Sequence, residues 1–106
     1  MNKNMNILCV CQHGMCRSVA TRHCLKDRGY TNVLATGWSD TSEETLKMLC
    51  DWAEIILVAK PDHGYMLPSG EEKIDKDFTI GEDVWLNPFN TTLHKIINIK
   101  LDLIGA

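Results

Sequence analysis

The chain has 106 residues, 44% of them hydrophobic, with a formal net charge of -3 from 14 acidic and 11 basic side chains. That length suits one domain with one core, and the acidic balance counts against a general nucleic-acid or membrane-surface binder, so neither is expected as a partner. No run approaches the roughly 18 apolar residues of a membrane span. Met1 to Asn6 is polar, unlike a signal-peptide core, which makes a cytoplasmic location the default expectation.

Taken from the N-terminus, Ile7-Leu8-Cys9-Val10 is a short β-prone apolar run and reads as a buried strand. Cys11-Gln12-His13-Gly14-Met15-Cys16-Arg17-Ser18 follows it, broken by Gly14, and Ser18 to Arg28 reads as a helix ending at Gly29. Val33 to Thr36 is a second strand, closed by Gly37. Thr41-Ser42-Glu43-Glu44 has the pattern of a capping box, with the Thr41 hydroxyl at the helix start and Glu44 reaching back. Leu46, Leu49, Cys50 and Ala53 then share one helical face.

Ile55 to Val58 is a third strand, Pro61 to Met66 a short helix or turn, and Pro68-Ser69-Gly70 a loop. Asp77 to Ile80 is a weak fourth strand. Asn87-Pro88 starts a last helix striped by Leu93, Ile96, Ile97, Leu101 and Ile104. Strands alternating with helices predict an α/β fold: a three-layer, four-stranded parallel sheet with helices on both faces and a phosphate loop after strand 1. Ligands of such sheets bind beyond the carboxyl ends of the strands. Cys11, past the first strand, and Asp83, past the fourth, share that edge.

The Cys11–Ser18 segment carries the chemistry. Unpaired N–H groups at a helix start, a loop of successive N–H groups, the Arg17 guanidinium and the Ser18 hydroxyl all favour negative charge on the Cys11 sulfur. The same donors, Gln12 through Ser18, suit a phosphoryl group, with Arg17 binding two equatorial oxygens through its planar fork. Asp83 is the candidate acid for the leaving group and the later base for water, with Glu82 as its neighbouring alternative. This chemistry calls for no cofactor.

The five cysteines, an odd number, argue against a disulfide framework. Cys9, Cys11 and Cys16 with His13 fit zinc spacing poorly, so no metal is expected. Cys9, Cys24 and Cys50 read as core. Cys16 is either a small buried residue or an oxidative partner for Cys11. Arg17, Arg22, His23, Lys26 and Arg28 read as a solvated helix face, with a positive rim for anions as the other reading. His13 reads as a solvent-facing loop residue, and Trp38 and Trp85 as packing.

With C-x5-R-S after a strand and before a helix, the sequence resembles the low-molecular-weight protein tyrosine phosphatases, in particular their short bacterial and phage members. Ala35-Thr36-Gly37 and Trp52-Ala53-Glu54-Ile55-Ile56-Leu57-Val58 extend the likeness. The resemblance implies a single domain over 1–106. It makes Cys11 the nucleophile, Arg17 the phosphate ligand, Ser18 the thiolate's hydroxyl partner, Cys16 the redox-protective thiol and Asp83 the general acid. The implied substrate is a phosphorylated protein, at phosphotyrosine, or a small aryl phosphate, with inorganic phosphate as product and inhibitor. The chain departs from the family's pattern with Gly14 for the usual Asn, Val19 for Pro after Arg-Ser, and Val84 for Pro after Asp83. An arsenate reductase-like enzyme and a non-catalytic phosphate-binding or phosphocysteine carrier are the alternative readings.

Overall fold

In a computed structural model describing residues 1–106, strand β1 (Ile7–Cys11) is buried at every position. It is the middle strand of a parallel sheet of order β2-β1-β3, with β2 at Val33–Gly37 and β3 at Ile55–Val58. The registers place Ile7 opposite Val33 and Ile55, and Cys11 opposite Gly37. Apolar residues of helices pack against both of its faces, which is why its sequence is continuously apolar.

Side chains alternate across β1. Ile7 and Cys9 join one apolar cluster with Ala20, Cys24 and Leu25 of helix α1 (Arg17–Asp27) and Leu93, Ile97 and Leu101 of helix α3 (Thr91–Leu103). Leu8 and Val10 join a second cluster with Leu46 and Cys50 of helix α2 (Glu43–Trp52). Helix α1 stops where Gly29, at φ +94°, follows Arg28, and the Tyr30 N–H reaches back to the Leu25 carbonyl at 3.1 Å. Arg28 ties α1 to α3 through Asn98, the Ala106 carbonyl and Asp102.

Three expectations are corrected. The sheet has three strands, not four. The chain after Ile74 makes one ladder contact, Ile74 to Ile56, and then turns away at Lys76–Asp77. The Asp75 carboxylate accepts the Asp77 N–H at 2.9 Å, so a local Asx turn wins over sheet pairing. The segment returns just past β3, where the Thr79 hydroxyl and the Ile80 and Gly81 N–H groups donate to the Ala59 carbonyl.

Helix α2 is capped by Ser42, whose hydroxyl accepts the Thr45 N–H at 3.2 Å. Thr41 instead pairs with Thr36 at 3.0 Å, tying the loop to β2. Helix α3 begins after Asn90, whose side chain accepts from the Thr92 and Leu93 N–H groups, rather than at Asn87–Pro88. No helix is long and apolar enough to cross a membrane.

Candidate active site

Cys11 is the last residue of β1, and its sulfur sits where the chain leaves the sheet. Sγ lies 3.1 Å from Ser18 Oγ and accepts the Gly14 N–H at 3.3 Å. Gly14 turns that N–H inward at φ +71°, a left-handed conformation that costs other residues about 1–2 kcal/mol.

The loop is bound along its length to the end of β2. The Trp38 N–H donates to the Cys11 carbonyl, and both the N–H and the hydroxyl of Ser39 donate to the Gln12 carbonyl, at 2.8–3.0 Å. Gly37 lies backbone to backbone against His13 and Gly14, and a Cβ at Gly37 would fall 2.5 Å from Gly14 N.

Arg17 opens α1 and is 3% exposed. Its Nη1 donates to the Gly81 carbonyl at 2.6 Å, while its Nε is buried without a protein partner. A buried unpaired donor costs about 1–3 kcal/mol, more when charged, and an anion beside the loop would relieve that cost. Arg22 and Arg28 spend their guanidinium groups on backbone carbonyls of Val33, Asn98 and Ala106. The basic cluster of the sequence is therefore largely framework, neither a purely solvated face nor a rim around this site.

Cys11, His13, Met15, Cys16, Asp83 and Leu86 line one cleft of about 240 Å³. Burial, then the facing Asp83 carboxylate, then Cys11 push the Cys16 thiol above its ordinary range, against the opposing pull of Arg17. Glu82 points elsewhere: it bonds Lys60 at 2.5 Å, which holds its carboxyl below the usual range. Of the two acidic neighbours only Asp83 borders the cleft. Cys9, Cys24 and Cys50 are buried away from it, and burial raises all three thiols, Cys24 to about 11. A larger hollow of about 870 Å³ lies against β3 between the two short 3-10 helices, Pro61–Met66 and Glu71–Lys73, and holds no cysteine. No group of three His, Cys, Asp or Glu side chains is arranged to hold a metal.

The backbone superposes on Wzb from Vibrio vulnificus, solved in complex with benzylphosphonate, with a TM-score of 0.69 at 17% identity, over 96% of this chain and 98% of that one. It also superposes on the YwlE arginine phosphatase from Geobacillus stearothermophilus, with a TM-score of 0.61 at 18% identity, over 95% and 94% of the two chains. The fold is that of the low-molecular-weight protein tyrosine phosphatases. No family model and no curated protein matches the sequence.

Within this phosphatase fold, the three residues singled out from sequence lie at one edge of the sheet. Cys11 and Asp83 line the same cleft, and Arg17 stands behind it, latched to Gly81. In the loop, Gln12, His13 and Met15 are exposed, whereas Cys16 and Ser18 are buried.

Sequence reasoning missed the Gly37 contact and the Ser39–Asp40 strap. A glycine directly after a strand, followed by Trp-Ser-Asp, was the available signal, but nothing local shows which backbone it meets. It also missed Leu86, which is 99% exposed at φ +68° and borders the cleft. Trp38 and Trp85 pack against the two apolar clusters, as expected for large aromatics.

Proposed function

We propose that this chain is a cysteine-dependent phosphatase, one domain over 1–106, that hydrolyses phosphomonoesters through a phosphocysteine, with protein phosphotyrosine as its substrate class. The observation that carries this reading is the Cys11 sulfur, bonded to the Gly14 N–H and the Ser18 hydroxyl at a cleft it shares with Asp83.

In the first step the thiolate attacks phosphorus, the P–O bond to the leaving group breaks, and Asp83 supplies the proton that the departing oxygen takes. The loop N–H groups and the Arg17 fork hold the equatorial oxygens, where transition-state charge is spread. In the second step water cleaves the P–S bond and releases inorganic phosphate. Met15 and Leu86 give the cleft apolar walls, which support an aromatic ester. Benzylphosphonate, the ligand held by Wzb, is likewise an aromatic ring carrying a phosphorus acid.

The test is turnover of 4-nitrophenyl phosphate, then of a phosphotyrosine peptide against a phosphoarginine peptide. Loss of turnover in Cys11→Ser, with phosphate binding retained, is the expected result. Undiminished turnover in Cys11→Ser refutes the mechanism, and preference for phosphoarginine refutes the substrate class.

A further inference from the structure

Residues 75 to 81 leave the outer edge of β3 and meet the chain beyond it out of step. The Ala59 N–H donates to Val10 of β1, so Ile56 and Val58, in alternation with it, turn their N–H and C=O groups to the outer edge. A ladder begins there: Ile56 stands opposite Ile74, and the Asp75 N–H donates to the Ile56 carbonyl at 3.0 Å. An unbroken parallel ladder would next give the Asp77 N–H to the Val58 carbonyl. That N–H goes to Asp75 Oδ1 instead, at 2.9 Å. Val58 is 2% exposed, and its two outward groups are left without a protein partner, a costly state for buried backbone.

The same ladder would set Asp77 opposite Ala59. The Ile80 N–H on the Ala59 carbonyl, at 2.8 Å, sets Thr79 there, two residues later. Burial records the same offset. In a continuous strand Ile74 and Phe78 would share a face, yet Ile74 packs with the cluster of α2 and Phe78 with the cluster of α1 and α3. Val58, Asp75, Lys76 and Phe78 all border the hollow of about 870 Å³, so the bowed segment stands clear of β3.

The bow ends where the candidate acid begins. Thr79, Ile80 and Gly81 bind the Ala59 carbonyl, the Gly81 carbonyl binds Arg17, Glu82 binds Lys60, and Asp83 follows at the cleft. Which residues meet these anchors depends on how many the bow holds. Resting on the phosphatase reading, we infer that Asp75 is a positioning residue for Asp83. Its carboxylate takes the Asp77 N–H away from Val58, keeps two residues in the bow, and so leaves Asp83 level with the cleft. Without that carboxylate the Asp77 N–H pairs with Val58 and the two residues pass forward through the Ala59 anchor. Asp83 is then carried roughly 6–7 Å beyond its place. Burial of Phe78 and the bond from Arg17 to Gly81 resist the shift, so the loss is partial.

The test compares kcat/KM on 4-nitrophenyl phosphate with kcat/KM on phenyl phosphate. Phenolate is the more basic leaving group and needs the acid's proton more, so the ratio of the two reads the placement of Asp83. A merely structural defect lowers both alike. The expected ratio of 4-nitrophenyl to phenyl ester rises about tenfold in Asp75→Ala. It stays near wild type in Asp75→Asn, whose amide oxygen keeps the turn. In an Asp83→Asn background, where the ratio is already raised, Asp75→Ala adds nothing.

A wild-type ratio in Asp75→Ala, with a raised ratio in Asp83→Asn, overturns the assignment and leaves the phosphatase reading intact. A further rise in the double variant does the same. Should Asp75→Ala not fold, Asp75→Glu takes its place, keeping the charge on a side chain too long for the turn; a wild-type ratio there overturns the assignment equally. Wild type that turns over neither ester, or Asp83→Asn with a wild-type ratio, overturns the reading on which the assignment rests.

Discussion

Replacing Gly37 with alanine tests how the loop of Cys11, the proposed nucleophile, is positioned. An added Cβ would stand 2.2 Å from the His13 carbonyl carbon and 2.5 Å from Gly14 N, where ordinary contact begins at 3.4 Å. Both obstacles are backbone, so neither can swing aside. The loop must retreat from β2 by about 1.2 Å, a large displacement in a close-packed interior. Overpacking of this kind costs about 1–3 kcal/mol, which lowers Tm by at least about 4 °C in a domain of this size.

The functional loss is expected to be larger than the stability loss. Gly14 N is the atom that donates to Cys11 Sγ at 3.3 Å, so a shift of that size away from the sulfur breaks the bond. A misplacement of about 1 Å costs on the order of 100-fold in rate. The assay is kcat/KM on 4-nitrophenyl phosphate beside thermal unfolding, with Ala35→Gly on the same strand as control. Gly37→Ala retaining kcat/KM within twofold of wild type, at unchanged Tm, would refute the idea that β2 sets the loop.

Two further expectations concern charge. Asp83→Asn removes a carboxylate that raises the Cys16 thiol, so in a Cys11→Ser background the pH midpoint of Cys16 alkylation moves down; an unmoved midpoint would separate Asp83 from Cys16. In the presence of Cys11 the same change slows turnover of alkyl phosphates by about 100-fold or more, while Glu82→Gln, bound to Lys60, does not. His63 is buried against Trp38, with ring centroids 6.0 Å apart, and its Nδ1 is unpaired. Burial, then the Arg17 charge, hold its pKa below the ordinary 6.5. The unfolded chain therefore takes up this proton first, and stability falls as pH drops below about 6.5 toward the folded value. His63→Phe flattens that part of the urea-midpoint profile, and an identical slope in the variant would assign it to other groups.

The placing of Cys11 and Arg17 around one turn, and the first two elements, were readable because β1, a glycine turn and α1 are local patterns, each set by neighbours within a few residues. The third strand was readable for the same reason, being four consecutive apolar residues. What escaped the sequence depends on choices between near-equal partners or on distant backbone. Asp77–Ile80 has strand-like residues, but Asp75 offers the Asp77 N–H a nearer acceptor than the sheet. Thr41 and Ser42 are both good caps, and the pairing of Thr41 with Thr36 leaves the role to Ser42. His13 is exposed, as read from the sequence, but its pairing with Asp40, 27 residues away, is not a local pattern. Asp83 was placed from the edge of a strand that does not exist. It reaches the cleft because Ile80 and Gly81 bond to Ala59, just past the end of β3.

Arg17 grips the Gly81 carbonyl 64 residues downstream, two positions before Asp83. One side chain thus splices the Cys11 loop to the segment that carries Asp83, the proposed acid. Exchanging it for lysine would strip a guest of its clamp and at the same time cast the acid's segment adrift, so the resulting kinetic defect would mix affinity with chemistry. Tuning of guest preference without that entanglement falls to Met15 and Leu86, which border the mouth of the cleft and brace nothing behind it.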